Sequence, residues 1–137
     1  MADKVNPTER ELEILKVLWD RGEATVRDVY EVLRQRLPIV QNTVQAFLRT
    51  MEDKGLVSHR LEGRTFIYQP TYQRHQTTQR LTEQLLTRAF DCAMDQLVQS
   101  VLSLRQPTKV ELARLEQLLA EAKANKGKTS RKKESAP

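Results

Sequence analysis

The chain has 137 residues, which is room for one ordinary domain or for a small domain with an appendage. Aromatic residues are few and charged ones abundant, so the expected core is aliphatic; no apolar run approaches a membrane span and no signal peptide opens the chain. The net charge of +5 resides in the tail: residues 1–70 and 71–122 each balance, and residues 123–137 carry six basic groups against one acid. A basic composition therefore does not by itself mark the folded part as a binder of nucleic acid. A lone cysteine, Cys92, excludes an internal disulfide and fits a reducing cytoplasm.

Thr8 with Glu11 forms a capping box that opens a first helix with Leu12, Leu15, Leu18 and Trp19 as its buried stripe, and Gly22 ends it. Glu23-Ala24-Thr25 is a link with room for a bridge or short strand, and Thr25 caps a second helix from Val26 to about Leu37, stopped by Pro38. Val44, Phe47, Leu48 and Met51 then recur at three- and four-residue spacing, the buried face of a third helix over Gln41–Lys54 closed by Gly55. Its other face carries Gln41, Asn42, Thr43, Gln45, Ala46 and Arg49. These amides, a hydroxyl and a guanidinium can read donors and acceptors on base edges. Two extended segments, Leu56–Leu61 and Thr65–Gln69, flank Glu62-Gly63-Arg64, and Pro70 closes the second; this is a β-hairpin. Three helices and an arginine-tipped hairpin outline a winged helix.

A different pattern follows. Residues 75–104 hold no proline or glycine, and Leu81, Leu85, Ala89 or Phe90, Met94, Leu97, Val101 and Leu104 recur at helical spacing. After Gln106-Pro107, a second capping box (Thr8 and Glu11 repeated as Thr108 and Glu111) starts a last helix with Leu112, Leu115, Leu118 and Leu119 on one face. The few core residues of the first domain cannot cover both stripes. A two-fold dimer is the economical solution, with Leu81, Leu85, Phe90, Met94, Leu97, Val101, Leu112, Leu115 and Leu119 as dimerisation candidates. Residues 123–137 have almost no apolar content and are expected to be disordered. The organisation is mainly α: a winged helix-turn-helix domain over 1–70, a helical dimerisation domain over 71–122, and a basic tail over 123–137.

Each feature has a plainer reading. A polar helix face is ordinarily solvated, but this one is free of acid from Gln41 to Met51 and a hairpin follows at once, which favours contact with double-stranded DNA. Arg60 and Arg64 either blunt a hairpin edge or hold phosphate beside a groove-reading helix. The tail is a solubilising charge run or a salt-dependent attraction to phosphates. His59, His75 and Cys92 are scattered and there is no phosphate-cradling glycine loop, so neither catalysis, a metal nor a cofactor is expected. The rival from another class is a winged-helix protein-interaction module that scaffolds a complex.

The runs ELEILKVLW, GEATVRDVYEVL and NTVQAFLRTMEDKGLVSHRLEGRTFIYQP resemble the penicillinase-repressor family (BlaI/MecI) of bacterial transcription regulators. The resemblance spans about Thr8 to Ala122. It implies a homodimeric, cytoplasmic repressor on an inverted-repeat operator, with Gln41–Lys54 as the recognition helix and Leu56–Gln69 as the wing. It also implies relief of repression through a membrane-sensor metallopeptidase pathway that leads to cleavage in the dimerisation domain. The matching place is Gln99-Ser100-Val101-Leu102, where the family's Asn-Phe bond is absent and Ser100 and Val101 mark the candidate region. The paired Cys-x-Cys motifs of the family's copper-responsive members are also missing. A glycine break common in the family is replaced by Asp91-Cys92, so the fourth helix is expected to run on.

Overall fold

A computed structural model of the protein describes residues 6–135, with side chains described as far as Gly127. It divides into two units, Met1–Leu85 and Leu86–Pro137. In the first, α1 (Glu9–Arg21), α2 (Val26–Leu33) and α3 (Gln41–Asp53) precede the hairpin strands β1 (Val57–Glu62) and β2 (Thr65–Pro70), and α4 (Arg74–Gln84) follows. The winged-helix plan is as the sequence implies.

The expected capping box at Thr8 forms, and the expected cap at Thr25 forms as a full box with Asp28. Thr8 accepts from the Glu11 N–H while Glu11 accepts from the Thr8 N–H, and Thr25 and Asp28 do the same for α2. α2 stops at Leu33 instead of continuing to about Leu37; Pro38 disfavours helical geometry at the residue before it, and the chain leaves through a turn in which Leu37 N–H donates to Leu33 O. At the end of α3, Gly55 N–H donates to Glu52 O and Leu56 N–H to Met51 O, the paired bonds of a Schellman ending that needs Gly55 at φ +83°. Ala24 bridges Tyr68, so the short link after α1 joins the sheet edge.

The strands pair antiparallel from Val57↔Pro70 to Glu62↔Thr65. That register leaves Gly63-Arg64 as a two-residue loop, with Gly63 at φ +65° in the first central position, the one a type II′ turn reserves for glycine. The core gathers Ile14, Leu15, Val17, Leu18, Val29, Leu33, Val44, Leu48, Met51, Leu56, Val57 and Tyr68. Leu15 and Leu18 are buried as expected, whereas Leu12 and Trp19 are only half-buried and Ile14 and Val17 take the deeper places.

A charged residue also lies in this core. Glu11 is 1% exposed. Lys54, at the end of α3, donates to its two oxygens at 3.0 and 2.9 Å.

The boundary expected after Pro70 moves to Leu85 because α4 packs on the first unit. Trp19 Nε1 donates to Tyr72 O at 2.9 Å, Arg74 pairs with Asp20 at 2.8 Å and lies over the Trp19 ring, Arg80 covers Tyr72, and Asn6 donates to Gln84. Thr77 on α4 is buried.

The single helix expected over 75–104 is interrupted. After α4 the chain takes a π-helical turn, Leu85–Ala89, and Asp91 and Cys92 then adopt left-handed conformations at φ +50° and +68°. Cys92 N–H donates back to Leu86 O, so these two residues close a helix as a glycine would, at a cost of about 1–2 kcal/mol for each side chain forced there. The Asp91-Cys92 break thus stays in place of the run-on helix.

In the second unit α5 (Met94–Leu104) and α6 (Lys109–Ser135) follow, and no described residue of this unit is fully buried. The Thr108–Glu111 capping box forms as expected. α6 runs on to Ser135 and so takes in residues 123–135 of the segment expected to be disordered, while 136–137 lie outside the described residues.

Two predictions follow from these contacts. Lys54→Met leaves Glu11 buried without its cation and is expected to destabilise the protein by about 2–3 kcal/mol in urea unfolding, with the double variant Glu11→Gln, Lys54→Met regaining part of that loss. In the second unit, Arg105 grips Glu111 at 2.8 and 2.7 Å and, with the Thr108 N–H, holds its carboxyl down at about 2. A lowered folded-state value means the pair's contribution is complete above the ordinary 4.5 and drains away as pH falls toward about 2. A carboxylate NMR titration should show that low midpoint, and Arg105→Ala should raise it.

Candidate nucleic-acid interface

The burial of Val44, Leu48 and Met51 turns the other side of α3 outward, and Gln41, Asn42, Thr43, Gln45, Ala46 and Arg49 are all exposed. No acidic residue lies in the first turn of α3 and no side chain caps it, so its open N–H groups and dipole favour an anion. Gln41, Gln45 and Arg64 line one cleft of about 530 Å³ together with Thr25, Arg27 and Phe66. The cleft brings the start of α2, the outer face of α3 and the hairpin tip together. Thr25, Arg27 and Phe66 are not among the contacts expected from the sequence, since only the helix-turn-helix crossing and the strand register bring them beside α3.

The arginines differ in what they already hold. Arg49 and Arg64 have no carboxylate partner among the described residues. Arg60 donates to both oxygens of Glu23 at 2.6 and 3.0 Å and to Glu62 at 3.0 Å. The hydrogen bonds to Glu23 and Glu62 raise the Arg60 pKa above its ordinary value, and Arg60 in turn lowers that of Glu23. Arg27 is paired only loosely, with Glu31 at 3.5 Å.

His59 stacks on Phe66 with ring centroids 4.2 Å apart, and its Nδ1 lies 2.7 Å from each oxygen of Glu52. His75 and Cys92 are exposed. Among the described residues no cluster of His, Cys, Asp and Glu could hold a metal ion, and no helix is long and apolar enough to cross a membrane.

The family model described as "Penicillinase repressor" matches residues 7–121. The chain belongs to the penicillinase-repressor family. The penicillinase repressor of Bacillus licheniformis is 28% identical over 119 residues, which cover 87% of this chain and 93% of that protein. Among solved structures, the DNA-binding domain of the repressor BlaI is 28% identical, with a TM-score of 0.48 over 54% of this chain and 90% of that one. The monomeric form of Bacillus licheniformis BlaI in complex with the blaP half-operator has a TM-score of 0.47, 28% identity and the same coverage. Members of the penicillinase-repressor family are DNA-binding transcriptional repressors, not enzymes.

The dimerisation candidates differ in exposure. Leu81, Phe90, Leu97 and Leu115 are half-buried, while Leu85, Met94, Val101, Leu112 and Leu119 are exposed. Between α5 and α6 an apolar groove of about 540 Å³ is lined by Val101, Leu102, Leu104, Pro107, Val110 and Leu115. Ser100 and Val101, the candidate cleavage region, are in the interior of α5.

Proposed function

We propose that this chain is a homodimeric repressor that sets α3 of each protomer into the major groove of an inverted-repeat operator, with the wing tip on the adjoining backbone. The observation that carries the reading is the cleft shared by Gln41, Gln45 and Arg64 beneath an acid-free helix face whose Arg49 is uncommitted. Gln41, Asn42, Thr43, Gln45 and Ala46 face base edges or nearby phosphates, Arg49 is the principal cationic contact, and Arg64 holds phosphate. Arg60 takes a supporting role, because its guanidinium braces the wing against Glu23.

The second copy covers the apolar faces of α5 and α6. Val101, Leu112 and Leu119 are 54%, 48% and 64% exposed, more apolar surface than a solitary helical unit leaves to water. Repression is relieved by loosening that interface. Cleavage at Ser100–Val101, through a pathway begun by a membrane-sensor metallopeptidase, would require α5 to unwind first, since a protease takes an extended chain. The reading sets the protein in the cytoplasm, with its operator.

Titration against DNA from upstream of the protein's own gene, with scrambled competitor and at two salt concentrations, tests the assignment. A protected two-fold site supports it, and binding indifferent to sequence overturns it. Arg49→Ala should weaken operator binding by about 1–3 kcal/mol. Arg64→Ala should lower the salt slope by about one, and Arg60→Ala should do neither to the same degree. Val101→Lys with Leu112→Lys should give monomers by light scattering, half-site affinity unchanged, and a loss on the full operator of about a hundredfold or more.

A further inference from the structure

We propose that His59 is a positioning residue for Arg49 and acts through Glu52: by holding the Glu52 carboxylate against the wing, it keeps that carboxylate from capturing the guanidinium that α3 offers to DNA. The inference rests on the reading of Arg49 as a DNA contact.

Arg49 and Glu52 stand three residues apart on α3, the spacing at which opposite charges on a helix meet. That spacing is used elsewhere in this unit, by Glu31 with Arg34 at 3.1 Å and by Glu13 with Lys16 at 3.2 Å. Arg49 nevertheless has no carboxylate partner among the described residues. Glu52 turns to β1 instead, where both its oxygens lie 2.7 Å from His59 Nδ1. An Nδ1–H donor makes this contact in either the neutral ring or the imidazolium, and the imidazolium also neutralises Glu52.

The ring is held in place for the task. It stacks on Phe66 with planes only 10° apart, and Tyr68 closes on it at 5.6 Å. Arg49 has not left the neighbourhood: burial raises the Tyr68 pKa, the Glu52 charge raises it further, and the Arg49 charge opposes them. Glu52 and Arg49 from α3, His59 from β1 and Tyr68 from β2 thus form one cluster in which a single carboxylate has two possible cations. With His59 present it takes the wing. Without it, Glu52 folds back onto Arg49, and DNA must then break that pair and accept a carboxylate nearer its phosphates.

A double-mutant cycle on the full chain, read by operator titration, tests this. His59→Phe keeps the stack on Phe66 and removes the donor. It should cost about five- to tenfold in affinity and lower the salt slope by about one, as when a single phosphate contact is lost. In protein that also carries Glu52→Gln, the same His59→Phe change should alter affinity by less than about twofold and restore the slope, since no carboxylate remains to capture Arg49. His59→Gln, which keeps a donor, should fall between wild type and His59→Phe, and circular dichroism confirms that all variants fold.

Additive effects of His59→Phe and Glu52→Gln, or no effect of His59→Phe, overturn the proposal. If Arg49→Ala binds as wild type, the DNA-contact reading of Arg49 fails and takes this inference with it. If Arg49→Ala weakens binding while the cycle is additive, the inference alone fails.

Discussion

The direction in which α3 points depends on one carboxylate. Glu11 is nearly inaccessible, and it accepts from the Thr8 N–H at the start of α1 and from Lys54 at the end of α3. The same two oxygens therefore close one helix and anchor the end of another. A hydrophobic pair of similar volume could contribute as much stability, because desolvating two charges consumes most of their attraction. It could not also satisfy the orphan N–H of α1. Gly55 follows Lys54 directly and sends the chain into β1, so the recognition face and the wing take their relative orientation from this one corner.

Around that corner the charges of residues 1–70 cancel, and most arginines are spent locally. Arg21 meets Asp28, Arg34 meets Glu31, Arg36 meets Glu13, and Arg60 meets Glu23. A domain so balanced exerts little long-range pull on DNA. On the proposed reading its affinity comes from cations left without a carboxylate, and two of these, Arg49 and Arg64, stand on the outer face of α3 and at the tip of the hairpin. Exposed ion pairs add little to stability. Their consequence here is selective: by occupying Arg36 and Arg60, they decide which arginines remain for a phosphate.

The second unit poses the opposite problem, ample apolar surface and no interior. Leu104 and Val110 are 79% and 81% exposed on either side of the turn between α5 and α6, where Arg105 and Glu111 hold the corner by charge instead of packing. Asp91 and Cys92 spend backbone strain to end a helix without glycine. In the proposed dimer such a unit gains its missing burial on association, which would tie its order to protomer concentration.

Much of this was legible from local pattern. The face of α3, the capping boxes expected at Thr8 and Thr108, the cap expected at Thr25, and the hairpin turn at Gly63 depend on residues within four positions of one another, and the sequence reading of each agrees with the structure. What stayed hidden depends on residues far apart. Local pattern gives Glu11 its place in the capping box but not its burial, because nothing near it reveals Lys54 beyond two further helices. It assigns α4 to the second domain, because Trp19 and Tyr72 meet only once the wing has closed. It ranks Arg60 beside Arg64, because the pairing with Glu23 requires the bridge between Ala24 and Tyr68. Local pattern shows which side chains face outward. Only the fold shows which of those are still free.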